Sequence, residues 1–237
     1  MLFSKKFMIP LLFLSIALLM LTSFSQEKNQ EAEEPQTQEK EVVATIDDKE
    51  IYMSELNQMT NLQQTMMQLQ QRNPQFVRFL YTSPEGQNFL EAFKKNQLED
   101  LITRKLLERE AQRENIRLTK KDKEKYFKEQ IDMIKQQQNM SDEELLKALN
   151  QQGIESMDAF KKIFIEQQGE SLKIHKLIEE VVLDKVKVSD KEAEQWYDQG
   201  QYQVEFKEVK DQIKRELAQK EYIDQLREEA DINILIE

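Results

Sequence analysis

The stretch LEDLITRKLLEREAQREN, Leu98 to Asn115, continues as IRLTKKDKEKYFKEQIDMIKQQQ to Gln138 and NMSDEELLKALNQQG to Gly153, and its reading decides the fold. Leu98, Ile102 and Leu106 recur four apart, the spacing of one helix face. Asn115 suits the left-handed residue that closes a helix, with Ile116 placed for the accompanying apolar contact. Thr119 with Asp122 forms a capping-box pattern, repeated by Ser141 with Glu144 and by Ser189 with Glu192. In each, a hydroxyl accepts the amide three residues on and the carboxylate there reaches back. Gly153 closes the helix that begins at Asp142. The next segment runs from Met157 to about Asp184 through Phe160, Phe164, Leu172 and Leu177, with Gly169 its weakest point. From Leu98 to Tyr197 the chain thus reads as four or five capped amphipathic helices with almost no catalytic chemistry.

Outward from that body, composition agrees. The 237 residues suffice for one or two domains, and 33% charged with 39% hydrophobic residues is ordinary for a helical protein. Only 4 Gly and 4 Pro leave little for tight turns, which disfavours a sheet-rich fold. A net charge of −11 repels polyphosphate, so no nucleic-acid partner is expected. The run Lys120, Lys121, Lys123, Lys125 and Lys128 is interrupted by Asp122, Glu124 and Glu129 at helical spacing, which predicts an ion-paired, solvated face. The absence of cysteine removes disulfides, thiolate nucleophiles and thiolate metal ligands together.

The first 25 residues have another character. Lys5 and Lys6 precede an apolar run from Phe7 to Leu21, and Ser23 and Ser25 occupy the small-residue positions of a cut between Ser25 and Gln26. This predicts a signal peptide over 1–25 and an exported, periplasmic protein. The competing reading is an uncleaved inner-membrane anchor facing the periplasm, since Phe7 to Phe24 approaches the roughly 20 residues that span a bilayer. Residues 26–41 are polar, carry Pro35 and lack periodic apolar positions, which predicts a disordered acidic linker.

Val42 to Ile46, the turn pair Asp47-Asp48 and Lys49 to Tyr52 predict a hairpin. Ser54 then caps a helix striped by Leu56, Met59, Leu62, Met66 and Leu69, ending near Asn73-Pro74. An aromatic connector with Phe76, Phe79 and Tyr81 follows, and Ser83-Pro84 starts a helix that reaches Glu114. The last helix holds Phe206, Val209, Ile213, Leu217, Ile223 and Leu226. Asp231 to Ile236 is a terminal strand whose backbone must pair with something, and the hairpin is the other strand candidate. The expected fold is therefore mainly α, with a small sheet made by the N-terminal hairpin and the C-terminal strand.

VATI (43–46), IY (51–52), LITRKLLEREA (101–111), NMSDEEL (139–145), LIEEVV (177–182), VKVSDKE (186–192) and FKEVK (206–210), in that order and spacing, resemble the SurA/PrsA/PpiD-type chaperones, exported folding factors related to parvulin prolyl isomerases. The resemblance implies a helical chaperone domain over 42–237. In the isomerases of that family a parvulin domain of roughly a hundred residues, an ordinary domain size, lies between the segment matching Val188 to Tyr197 and the final helix. Here only residues 198–205 stand in that place. A parvulin site needs paired histidines, and the single histidine, His175, lies upstream on a predicted helix. No catalytic residue is carried over.

Other chemistry is no better supplied. His175 alone makes no nucleophilic relay, no G-x-S-x-G elbow or phosphate loop is present, and Glu143-Glu144 and Glu228-Glu229 are neighbours that diverge by about 100° on a helix. No catalytic group, metal site or cofactor is expected. What remains is a set of flexible thioethers and aromatics, Met59, Met66, Met67, Phe76, Phe79 and Tyr81, suited to adaptable apolar partners; plain core packing competes for Met59 and Met66. Trp196-Tyr197 reads as an anchor of the last helix. The expected function is an ATP-independent holdase for unfolded secreted or outer-membrane proteins. The alternatives are a prolyl isomerase, as the family analogy implies, or a helical scaffold for one envelope partner.

Overall fold

The structure, a computed structural model, describes residues 41–200 and 202–236. The expected signal peptide with its cut at Ser25 and Gln26, and the linker up to residue 40, lie outside the described residues. Along the chain come strands β1 (Val42–Ile46) and β2 (Lys49–Tyr52) and helices α1 (Met53–Thr60), α2 (Leu62–Arg72), α3 (Pro74–Thr82) and α4 (Pro84–Arg113). Helices α5 (Lys120–Gln138), α6 (Asp142–Gln151), α7 (Met157–Leu177), α8 (Asp190–Gln199) and α9 (Phe206–Glu229) follow, then strand β3 (Ile232–Ile234). Past α7 the helix continues through a π-turn, Ile178–Val182, and a short last piece, Leu183–Lys185. The fold is mainly α with one antiparallel sheet in the order β2-β1-β3, so both ends of the described chain meet there as the terminal strand required.

The chain divides into two compact units. One holds residues 41–110 and 222–236 among those described; the other holds 111–221.

In the first unit, Asp47 takes φ 52° at the hairpin turn, a conformation Asp tolerates. Strand β1 pairs with β2 through Ala44 and Ile51 and with β3 through Ala44 and Ile234, with a register shift between Val42 and Ala44. Asp47 also receives the Asp231 amide on its carboxylate at 2.9 Å and pairs with Arg109. Val43, Ala44, Ile51, Leu56, Leu80, Leu98, Ile102 and Leu106 are buried. The end of α9 lies on α4: Tyr222 Oη donates to buried Glu110, and Arg227 donates to Glu99 and to Thr103 Oγ1.

Three local expectations are corrected in this unit. The helix after the hairpin begins at Met53, and its capping side chain is Glu55, which accepts the Tyr52 amide at 3.0 Å; Ser54 lies inside the first turn. It does not run to Asn73. Asn61 turns left-handed at φ 48° and closes α1 by donating its amide to Asn57 O, so α2 starts afresh. The aromatic connector is itself a helix, α3, because Asn73 accepts the Phe76 amide at 3.2 Å and Pro74 fits the first helical position.

In the second unit the three capping boxes form as read, with Thr119, Ser141 and Ser189 each accepting the amide three residues on. Asn115 at φ 52° and Gly153 at φ 80° close α4 and α6, and Ile116 donates back to Ala111 O at 2.8 Å. Ile131, Ile134, Leu145, Leu149, Ile154 and Phe160 form one cluster, Tyr126, Phe164 and Leu172 another, and Phe127 packs on both. Helix α7 runs unbroken past Gly169, the residue read as its weakest point. The ~1 kcal/mol that glycine costs a helix is small beside the burial of Phe164 and Leu172 on either side. The irregularity comes later, in the π-turn.

Candidate binding surface

The residues singled out from sequence sit on α1, α2 and α3 of the first unit. Met59 and Met66 are half-buried, as core packing would have them. Met67 is 61% exposed, Phe76 41%, Phe79 44% and Tyr81 54%. No residue of α2 is fully buried: Leu62, Gln64, Met66 and Leu69 are half-buried, and the rest, Thr65 and Met67 among them, are exposed. Helix α3 is anchored by Val77 and Leu80, which are buried, while the Phe76 and Phe79 rings stack on the outside with centroids 6.3 Å apart. Unburied apolar groups of this size, close together, are uncommon on a protein with no use for them.

Two features of this surface were not read from the sequence. Phe89, one turn before Phe93 on α4, is 56% exposed and stacks on Phe93 at 6.5 Å. At about 100° per residue it stands on the side of the helix away from buried Leu98. Gly86, in the first turn of α4, is buried, and a Cβ there would come within 2.3 Å of Phe79 O and 2.6 Å of Leu80 Cα. Only glycine lets the start of α4 approach the backbone of α3 so closely. The signal was available: it is one of 4 glycines in the chain, and it stands inside a helix start.

The polar clusters have structural roles. His175 meets the edge of Tyr126 at 5.1 Å and lies 3.5 Å from Glu179. Glu179 also accepts from Tyr126 Oη and Lys125 Nζ, each at 2.9 Å, joining α5 to the π-turn. Burial, and then that hydrogen bond, push the Tyr126 hydroxyl well above the usual tyrosine range. Lys125 is thus one of the ion-paired members of the lysine run. Among the described residues no group of three or more His, Asp or Glu could hold a metal, and no helix is long and apolar enough to cross a membrane.

The link from α8 to α9 is drawn tight by aromatics. Tyr197 stacks on Tyr202 at 4.9 Å, packs on Phe206 at 5.4 Å and donates to Val204 O at 2.6 Å. The anchoring role read for this pair is shared: Trp196, 39% exposed, also donates a side-chain hydrogen bond to Tyr202.

Residues 3–178 match the family described as the SurA-like N-terminal domain. The chain belongs to that family. The SurA-like match spans β1, β2 and α1 to α7 and ends where the π-turn starts. Among curated relatives, "Foldase protein PrsA" of Clostridium botulinum strain Langeland and that of strain Hall are each 27% identical over 169 residues, and that of strain Kyoto is 26% identical. The alignment takes in 70% of this chain and 47% of the relative, so the chain spans about half the length of the foldases it matches.

Proposed function

We propose that the protein is an exported, ATP-independent chaperone that holds unfolded secreted or outer-membrane polypeptides on the outer faces of α1 to α3, without catalysing their isomerisation. The observation that carries this is the uncovered set Met67, Phe76, Phe79 and Tyr81 on a helical excursion of a SurA-like domain. Flexible thioethers and stacked rings adapt to many apolar sequences and give breadth without a fixed pocket. Release without an energy source calls for affinity on the order of micromolar, about −8 kcal/mol. The acidic remainder of the surface keeps a complex soluble.

The non-catalytic half of the reading rests on two residues. His175, the sole histidine, is engaged with Tyr126 and Glu179, and Tyr197 closes the link where the resemblance places an isomerase insert. An aggregation assay with several unrelated unfolded proteins tests the proposal. The protein is expected to suppress aggregation of most of them, and the combined Met67→Ser, Phe76→Ser and Phe79→Ser variant to need about ten-fold more protein, ~1.4 kcal/mol, with helicity unchanged. Protection of none sinks the proposal; protection of a single partner makes the protein a dedicated scaffold. Proline isomerisation above background in a protease-free peptide assay overturns the non-catalytic half.

A further inference from the structure

Between Glu55 and Glu85 the chain has no acidic residue, although it carries 45 in all. The only charged side chains in that tract are Arg72 and Arg78. Both are exposed, and neither has a carboxylate partner among the described residues. Their neighbours in the same unit behave otherwise: Arg104, Arg109 and Arg227 pair with Glu108, Asp47 and Glu99. Arg72 stands in the last turn of α2, where a cation also favours the helix dipole. Arg78 has no such local role. At about 100° per residue it projects on the outer side of α3 between Tyr81 and Phe79, opposite buried Val77 and Leu80.

From this placement we infer that the surface is charge-selective, taking apolar client segments flanked by carboxylates in preference to neutral or basic ones. The inference rests on the reading of α1 to α3 as the client surface and adds the class of segment it prefers. Guanidinium groups bind carboxylates through a planar fork and stack on aromatic rings, so Arg78 between Tyr81 and Phe79 can serve both halves of such a segment. The rest of a chain of net charge −11 repels an acidic segment, which confines it to the acid-free tract. Exposed ion pairs are weak, so two of them change affinity by only about 3- to 10-fold.

Titration of the full chain with three peptides that share one set of Phe and Leu residues, flanked by Glu, Gln or Lys, tests this. At low salt the Glu peptide is expected to bind about 3- to 10-fold more tightly than the Gln peptide, and the Lys peptide more weakly than either. The preference is expected to vanish in about 0.5 M NaCl. It should vanish as well in the Arg72→Gln, Arg78→Gln variant, which is expected to bind the Glu and Gln peptides with equal affinity. Equal binding of all three peptides overturns charge selectivity and leaves the client reading standing. Binding of none overturns both. A preference retained by the variant, or capture of anionic vesicles in place of peptides, also overturns the inference.

Discussion

The carboxylate of Asp122 accepts the Thr119 amide at 2.8 Å and the Lys176 ammonium at 2.6 Å, so one side chain caps α5 and ties it to α7. Lys176, the Thr119 amide and the Thr119 hydroxyl together hold it at about 2, against an ordinary 3.8. A carboxylate depressed in the folded state adds stability above its ordinary value, and loses it as pH falls through the depressed one. The same contact raises Lys176, whose share is lost only in strong alkali. Urea midpoints of the unaltered protein are therefore expected to fall between about pH 4 and pH 2. Asp122→Asn should start lower at neutral pH and show a shallower acid slope. Glu144 and Glu192, held low in the sister capping boxes, supply part of the slope that remains. Parallel slopes for the two proteins would show that the pair contributes nothing.

At the scale of elements, the approach of α4 to α3 is the contact on which the surface depends. Gly86→Ala places a methyl 2.3 Å from Phe79 O, so the helices must separate. The overpacking costs ~1–3 kcal/mol, against ~1 kcal/mol that alanine returns in helix propensity. The expected outcome is a lower urea midpoint and weaker client protection together; a stabilised variant would contradict the packing. Helices α5 to α8 were legible because their boundaries are written in local chemistry: Thr119, Ser141 and Ser189 as caps, Asn115 and Gly153 as stops. Helices α1 to α3 were less so. A continuous stripe from Leu56 to Leu69 hides the break at Asn61, because a left-handed asparagine is a backbone choice that periodicity does not register. Phe76, Val77, Phe79 and Leu80 cluster too densely to reveal a helix that covers Val77 and Leu80 and leaves both phenylalanines out. The sheet was legible from one obligation, the need of Ile232 to Ile234 to pair.

For the molecule as a whole, the sheet returns the chain's end to the hairpin, and Asp47 joins the two by accepting from Asp231 and pairing with Arg109. From that sheet α1 to α3 extend as a Met- and Phe-bearing excursion with no acidic residue after Glu55, in a protein otherwise strongly anionic. On the proposed reading, such a surface on a SurA-like domain serves contact with unfolded chains. The most direct test places a photoreactive residue at Met67, Tyr81 or, as control, the exposed Lys191, and irradiates each protein with an unfolded client. The account predicts crosslinking at Met67 and Tyr81 well above that at Lys191; equal yields at all three, or more at Lys191, would contradict it.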